Sequence, residues 1–333
     1  MFNNKIIFIT GGTGSWWNEL VKQILEKYSP EEIRIYSRGE HKQVEMKEKF
    51  AFHPKLKFVI GDVRDKTIMG HAMRGSHYVF HLAALKHVPV CEENPWEAVL
   101  TNIYGTQNVI ECAIENNVEK VIDISTDKAV DPFNHYGCTK ACGEKMIINA
   151  NVNYNSHTKF FCIRGGNVIG TNGSVIPLFK RLILEKNEIT ITDGAMTRFL
   201  MSTREAIGLI FEALTYAQGG EVFVMCMPAT TVDIVADVMI DLFGNEKTQK
   251  KIIGVRPGEK QSEVLVSRNE APTTKIFGDR YYVILPQFKN INLENYYKEY
   301  ANISTSEFNS NNASQINKEA LKELLKKETW LWN

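Results

Sequence analysis

No sign of charge prevails in this chain: lysine plus arginine and aspartate plus glutamate both number 39 among 333 residues, a formal net charge of zero. That balance argues against a general nucleic-acid or membrane-surface binder, while leaving room for a local basic pocket. No apolar run approaches the ~20 residues that span a bilayer. The N-terminus, Met1 to Thr10, has a single lysine before a short apolar run, too little for a secretory segment, and reads as a first strand. The six cysteines, Cys91, Cys112, Cys138, Cys142, Cys162 and Cys226, form no CxxC pair and no Cys/His zinc spacing. The expectation is reduced thiols in a cytoplasmic protein without a metal site. Low-complexity segments and repeats are missing too.

What is present is alternation. Short apolar runs at Ile6–Thr10, Glu32–Tyr36, Leu56–Ile60, Tyr78–His81, Lys120–Ile124 and Lys159–Ile163 are separated by helical patterns such as Glu19–Lys27 and Trp96–Glu115. This implies an α/β fold, a parallel sheet with helices on both faces. After about residue 170 the pattern loosens, punctuated by Gly170, Asp193-Gly194 and Gly219-Gly220. We expect residues 1–167, joined by about 203–249, to bind a nucleotide cofactor. We expect 168–202 and 250–333 to form a smaller substrate-covering part interleaved with it. The stretch Asn302–Gln315 reads as polar loop and Ile316–Lys327 as a closing amphipathic helix.

The first run leads into Thr10-Gly-Gly-Thr-Gly-Ser-Trp-Trp17. Glycines belong where backbone N–H groups approach a pyrophosphate at a helix start. Gly11 and Gly14 fit the first two places of a GxxGxxG loop, with Thr13, Ser15 and Trp16 around them. The third place holds Trp17. An indole there must displace neighbours, tilt the helix or turn outward, so the first helix is expected in an altered position. The second strand ends in Ser37-Arg38, without the acid that grips a ribose 2′-hydroxyl. Ser37 and Arg38 suit a 2′-phosphate, hence NADP, because arginine offers a charged fork; the plainer alternative is an exposed arginine at a strand end. Asp62 and Val63 stand where an adenine edge and face would lie, and Ala83 is small enough for a cofactor to lie flat.

The fifth strand ends Ser125-Thr-Asp-Lys128, and eight residues on comes Tyr136-Gly-Cys-Thr-Lys140. Tyrosine and lysine at i and i+4 share a helix face, and a neighbouring ammonium stabilises phenolate. These motifs, with Gly61-Asp-Val-Arg-Asp65 and His81-Leu-Ala-Ala84, resemble the extended short-chain dehydrogenase/reductase family, a doubly wound Rossmann fold. Within it the chain is similar to inverting UDP-N-acetylglucosamine 4,6-dehydratases. The supporting runs are Ala84–Pro89, Ser125–Ala129, Arg164–Val168, Gly173–Pro177, Met196–Phe199 and Val255–Lys260. Trp17 departs from the family's third glycine, and Ser262 stands where histidine is expected.

The resemblance implies a UDP-N-acetylhexosamine substrate and a homo-oligomer, dimer or hexamer. It implies catalytic Thr126, Asp127, Lys128, Tyr136 and Lys140, with Tyr136 and Lys140 also on the cofactor. It implies Lys86, Asn167, Ser174, Val175, Arg198 and Arg256 on the sugar nucleotide, where two arginines can neutralise a diphosphate. Lys86 as a solvated lysine and the arginines as ion-pair partners are the alternatives. Asn102 resembles a structural asparagine near the base. The Asp127-Lys128 pair favours dehydration with inversion at C5. A retaining dehydratase, a 4-epimerase and a non-catalytic nucleotide-sensing protein remain rivals.

Overall fold

A computed structural model describes residues 1–154, 156–170, 174–255 and 258–332. The first six strands are β1 (Ile6–Thr10), β2 (Glu32–Ser37), β3 (Leu56–Ile60), β4 (Tyr78–His81), β5 (Lys120–Thr126) and β6 (Lys159–Gly165). The later ones are β7 (Asn167–Val168), β8 (Glu188–Ile191), β9 (Thr197–Met201), β10 (Val222–Met225), β11 (Ala229–Thr231), β12 (Gln249–Ile252), β13 (Val264–Val266), β14 (Thr274–Phe277), β15 (Tyr281–Ile284) and β16 (Phe308–Asn309).

Among the described residues nine strands form one sheet in the order β14-β15-β10-β6-β5-β4-β1-β2-β3. β1 to β6 and β10 pair in parallel, and β15 and β14 close one edge antiparallel. β4 and all but the first residue of β1 and β6 are buried, as expected of strands covered on both faces. The fold is the expected α/β doubly wound parallel sheet. From β1 the chain builds outward to β2 and β3, then crosses back to β4 on the other side. That reversal parts the loops beyond Thr10 and His81, the place where such sheets bind ligands.

Three smaller sheets are also formed among the described residues, β11-β9-β7, β12-β8 and β13-β16. A second apolar cluster joins Ile176, Phe179 and Ile183 of the helix Val175–Lys186 to Ile189 and Ile191, to Val235 and Met239, and to Leu321 and Leu325 of the helix Lys318–Lys326. The stretch expected as loop carries β16, which pairs with β13. No helix among the described residues is long and apolar enough to cross a membrane.

The helical reading of Trp96–Glu115 is corrected in one respect. It consists of Pro95–Val99, a π-helical turn Leu100–Tyr104, and Gly105–Glu115. Such turns insert one residue and re-aim side chains. Here Asn102 donates to Leu85 O (3.0 Å) and Thr139 Oγ1 (2.9 Å) and accepts from Leu85 N (2.8 Å), tying the loop after β4 to the helix His135–Asn153.

Candidate active site

The ends of the parallel strands open into a cleft of about 1160 Å³. That is above the ~300–1,000 Å³ of pockets for one drug-sized molecule. On the β1 side Gly11 has φ +66°, and a Cβ there would lie 2.9 Å from Ala83 Cα and N. Only glycine lets these two loops touch. Beneath them Thr10 Oγ1 accepts from the Leu82 and Ala83 amides (3.2 and 3.3 Å) and meets His81 Nδ1 at 2.8 Å. His81 Nε2 meets Thr106 Oγ1 at 3.1 Å, and burial pushes this imidazole's pKa down to about 4, so it is neutral.

Gly14 caps the first helix, Ser15–Lys27, with no side-chain hydrogen bond and no acid in the first turn, which leaves a helix start suited to an anion. Thr13, Gly14 and Trp16 line the cleft. The side chain of Ser15 lies outside the described residues. Trp17 does not turn outward: it is 1% exposed, edge-on to Phe80 at 6.2 Å, and part of the main core.

Ser37 Oγ accepts from Gln43 Nε2 (2.9 Å), while half-exposed Arg38 reaches to 3.8 Å from Asp62. Burial works against ionised Asp62, yet hydrogen bonds from Arg64 outweigh it and hold the carboxyl below its ordinary value. Val63 and Ala83 complete this wall.

At the other end, Thr126 Oγ1 donates to Asp127 Oδ1 (2.8 Å), and Lys128 Nζ donates to the same oxygen (2.9 Å). Tyr136 enters from the helix His135–Asn153, whose start Asn134 caps by accepting from Gly137 N (2.8 Å). Burial and the Asp127 charge raise the Tyr136 pKa; Lys140, Lys128 and hydrogen bonding with Thr126 act against them. For Lys128 burial disfavours the ammonium, but Asp127 and Glu263 more than compensate and raise its pKa. Lys140 is likewise held as an ammonium by Asp123, both of whose oxygens lie 3.3 Å from Nζ.

On the remaining wall stand Lys86, whose pKa burial lowers, with Asn167 and Val175. Ser174 caps the helix Val175–Lys186, and its buried Oγ finds no partner among the described residues. Arg198 donates to the carbonyls of Thr197 (2.8 Å), Lys260 (2.9 Å) and Gln261 (3.3 Å) and lies 3.7 Å from Glu263. Arg256 lies outside the described residues. Sequence reasoning passed over Asp123 and Glu263. An acid inside the apolar run of β5 is itself a signal, since a buried carboxylate needs a partner. Nothing in the spacing marks Glu263, three residues beyond Lys260.

The sequence model of the polysaccharide biosynthesis protein family matches residues 7–285. The chain belongs to that family. It is 43% identical over 297 residues to the inverting UDP-N-acetylglucosamine 4,6-dehydratase of Campylobacter jejuni, covering 89% of this chain and 87% of that one. It is also 43% identical over 331 residues to the UDP-glucose 4-epimerase of Rickettsia rickettsii, covering 98% and 96%. The solved structure of Pen from Bacillus thuringiensis matches with TM-score 0.89 at 37% identity, over 98% of this chain and 99% of that one. Solved chains of the same fold at 19–20% identity hold NAD. This family member is thus an extended short-chain dehydrogenase/reductase and an enzyme of the nucleotide-sugar dehydratase/epimerase group.

Proposed function

We propose that this chain is an NADP-dependent UDP-N-acetylglucosamine 4,6-dehydratase, a lyase that inverts C5 and gives a UDP-2-acetamido-2,6-dideoxy-4-keto-L-hexose. The observation that carries this is the Asp127–Lys128 pair, bonded at 2.9 Å in the same cleft as Tyr136. Oxidation at C4 needs one proton acceptor, and Tyr136 suffices for it. Epimerisation needs no more. Elimination also needs a base for C5–H and an acid for the C6 hydroxyl.

The cleft suits a dinucleotide. The Gly11 cradle would be filled by any Cβ, the first helix starts without an acid, and Arg38 stands at the rim for a 2′-phosphate. Gly11, Thr13, Gly14, Ser15, Trp16, Ser37, Arg38, Asp62, Val63 and Ala83 would hold it, with Tyr136 and Lys140 at its reactive end. When bound, the nicotinamide supplies the acceptor for the C4 hydride and the donor of hydride to C6.

Tyr136 takes the C4 hydroxyl proton, with Thr126 and the Lys140 ammonium steadying the phenolate. The C4 ketone acidifies C5–H. Lys128 passes its proton along the hydrogen bond to Asp127. The amine so formed takes the C5 proton as Asp127 gives its own to the departing C6 hydroxyl. Water leaves, and the pair is again an ammonium and a carboxylate. C5 then takes up one proton on the opposite face, and loss of the Tyr136 proton restores the starting state. Lys86, Asn167, Ser174, Val175, Arg198 and Arg256 would bind the sugar nucleotide. Residues 168–202 and 250–333 would supply that side of the cleft, and 1–167 with 203–249 the cofactor side. Assembly as a cytoplasmic homo-oligomer, dimer or hexamer, belongs to the same proposal.

The 43% identical epimerase supports a second reading, in which Asp127 and Lys128 form a structural pair and the product is a C4 epimer. Incubation with UDP-N-acetylglucosamine in D₂O separates the two. Dehydration creates a C6 methyl and places deuterium at C5; a C4 epimer with neither overturns the proposal.

A further inference from the structure

We propose that Glu263 is a positioning residue that keeps Lys128 aimed and charged for proton exchange with Asp127; this rests on the dehydratase reading above. Glu263 comes from the segment just before β13, far in sequence from β5. It is 4% exposed, and its Oε1 lies 3.5 Å from Lys128 Nζ and 3.7 Å from Arg198 Nε. Its backbone is clasped at both ends: its N–H donates to Ser310 Oγ (2.9 Å) and its carbonyl accepts from Ser310 N (2.8 Å). Ser310 Oγ also meets Thr197 Oγ1 at 2.6 Å. The carboxylate is therefore set on a fixed frame.

One ammonium thus lies between two carboxylates. Glu263 Oε2 and Asp127 Oδ2 are both buried without a hydrogen-bond partner among the described residues. Charges left this way are costly unless they serve something not yet bound. Lys128 faces Asp127, Glu263 and Tyr136. Glu263 faces Asp127, Lys128, Arg198 and Lys260, and burial and Asp127 raise its pKa against those cations.

A fixed negative charge favours the protonated form of whichever neighbour holds the proton. It keeps the exchanging proton within the Lys128–Asp127 pair. It also holds the lysine in place during the interval when Asp127 is neutral. No atom is transferred to Glu263 itself.

The test uses the cofactor-loaded chain with Glu263→Gln, which keeps the shape, and Glu263→Asp, which keeps the charge. With UDP-N-acetylglucosamine, Glu263→Gln should form reduced cofactor in the first turnover at the parent rate. Deuterium entry at C5 and C6-methyl formation should fall about 10-fold or more, short of the ~10²–10⁴-fold of an acid or base itself. Glu263→Asp should recover part of that loss. The side-chain NMR titration of Lys128, assigned with Lys128→Ala, should shift to lower pH in Glu263→Gln; this readout needs no sugar. An unmoved Lys128 titration in Glu263→Gln overturns the proposal, as does C5 exchange at the parent rate in that variant; where only Glu263→Asp folds, C5 exchange at the parent rate overturns it. A parent enzyme that makes no C6 methyl sinks the dehydratase reading instead, and the Lys128 titration then decides Glu263 alone.

Discussion

Two lysines in the cleft each face a carboxylate, and they are held differently. Lys140 is 7% exposed and sits evenly against both oxygens of Asp123, itself 1% exposed. Lys128 keeps 29% of its side chain open to the cleft and touches one oxygen each of Asp127 and Glu263, whose other oxygens are unmatched among the described residues. The first pair is closed and fixes a charge. The second is open, and its unused acceptors leave room for a proton to move. A salt bridge between buried groups says little about stability by itself; what separates these two is which hydrogen-bonding sites remain.

The sharpest way to break that contrast is Tyr136→Phe. It should abolish reduced-cofactor formation, a loss on the order of 10²–10⁴-fold, because the closed end has lost its proton acceptor. Stopped-flow absorbance at the reduced nicotinamide band checks it; normal reduction would reassign the C4 base. Lys128→Ala should cost a similar factor in product but spare the first hydride transfer. Reduced cofactor should then accumulate with substrate while no deuterium enters C5. Dehydration at the parent rate would remove Lys128 from the chemistry.

A smaller effect is expected from Arg38→Ala, which lies at neither lysine. Loss of a charge-assisted contact should weaken NADP about 10- to 100-fold and leave NAD nearly unchanged. Calorimetry with both cofactors measures this, and equal losses would take Arg38 off the 2′-phosphate. The smallest effect is expected from Asp123→Asn. Asp123 holds Lys140 above its ordinary pKa, so without it Lys140 loses its proton at lower pH. The alkaline limb of C4 oxidation should move toward neutrality, with a loss on the order of 10-fold at neutral pH, below that of an acid–base group itself. An unshifted limb would make Asp123 a purely structural partner.

The parallel strands and the Tyr136–Lys140 face were legible because each rests on local periodicity: buried runs for the strands, i and i+4 for the helix. The expected strands match to within two residues, the largest difference falling at the C-terminal ends of β5 and β6, where chain that reads as loop remains extended to carry Thr126 and Gly165. What escaped depends on distant partners. The π-turn at Leu100–Tyr104 follows from Asn102 reaching Leu85 and Thr139, and helical periodicity does not register one inserted residue. The motif alone leads one to expect an altered first helix, because Trp17 stands in a glycine's place. The space it enters, beside Phe80, is formed by the core and not by the motif. Replacing it with glycine would empty a packed site, costing about 3–5 kcal/mol, instead of freeing the cofactor loop. Glu263 reaches Lys128 only because β13 pairs with β16, a contact no local pattern announces.

The Ser310 clasp bears on the order in which the molecule matures. Thr126, Asp127, Lys128, Tyr136 and Lys140 follow one another within a short stretch of chain, next to strands that pair early in sequence. Glu263 joins them only after Ser310 has closed on it and on Thr197, across separations of 47 and 113 residues. Contacts of such range form late in folding because loop closure must precede them. A folding chain would therefore bring Asp127 and Lys128 together before Glu263 steadies them. A refolding time course should recover nicotinamide binding ahead of full-rate C5 exchange, the interval between them being the time the clasp takes to shut.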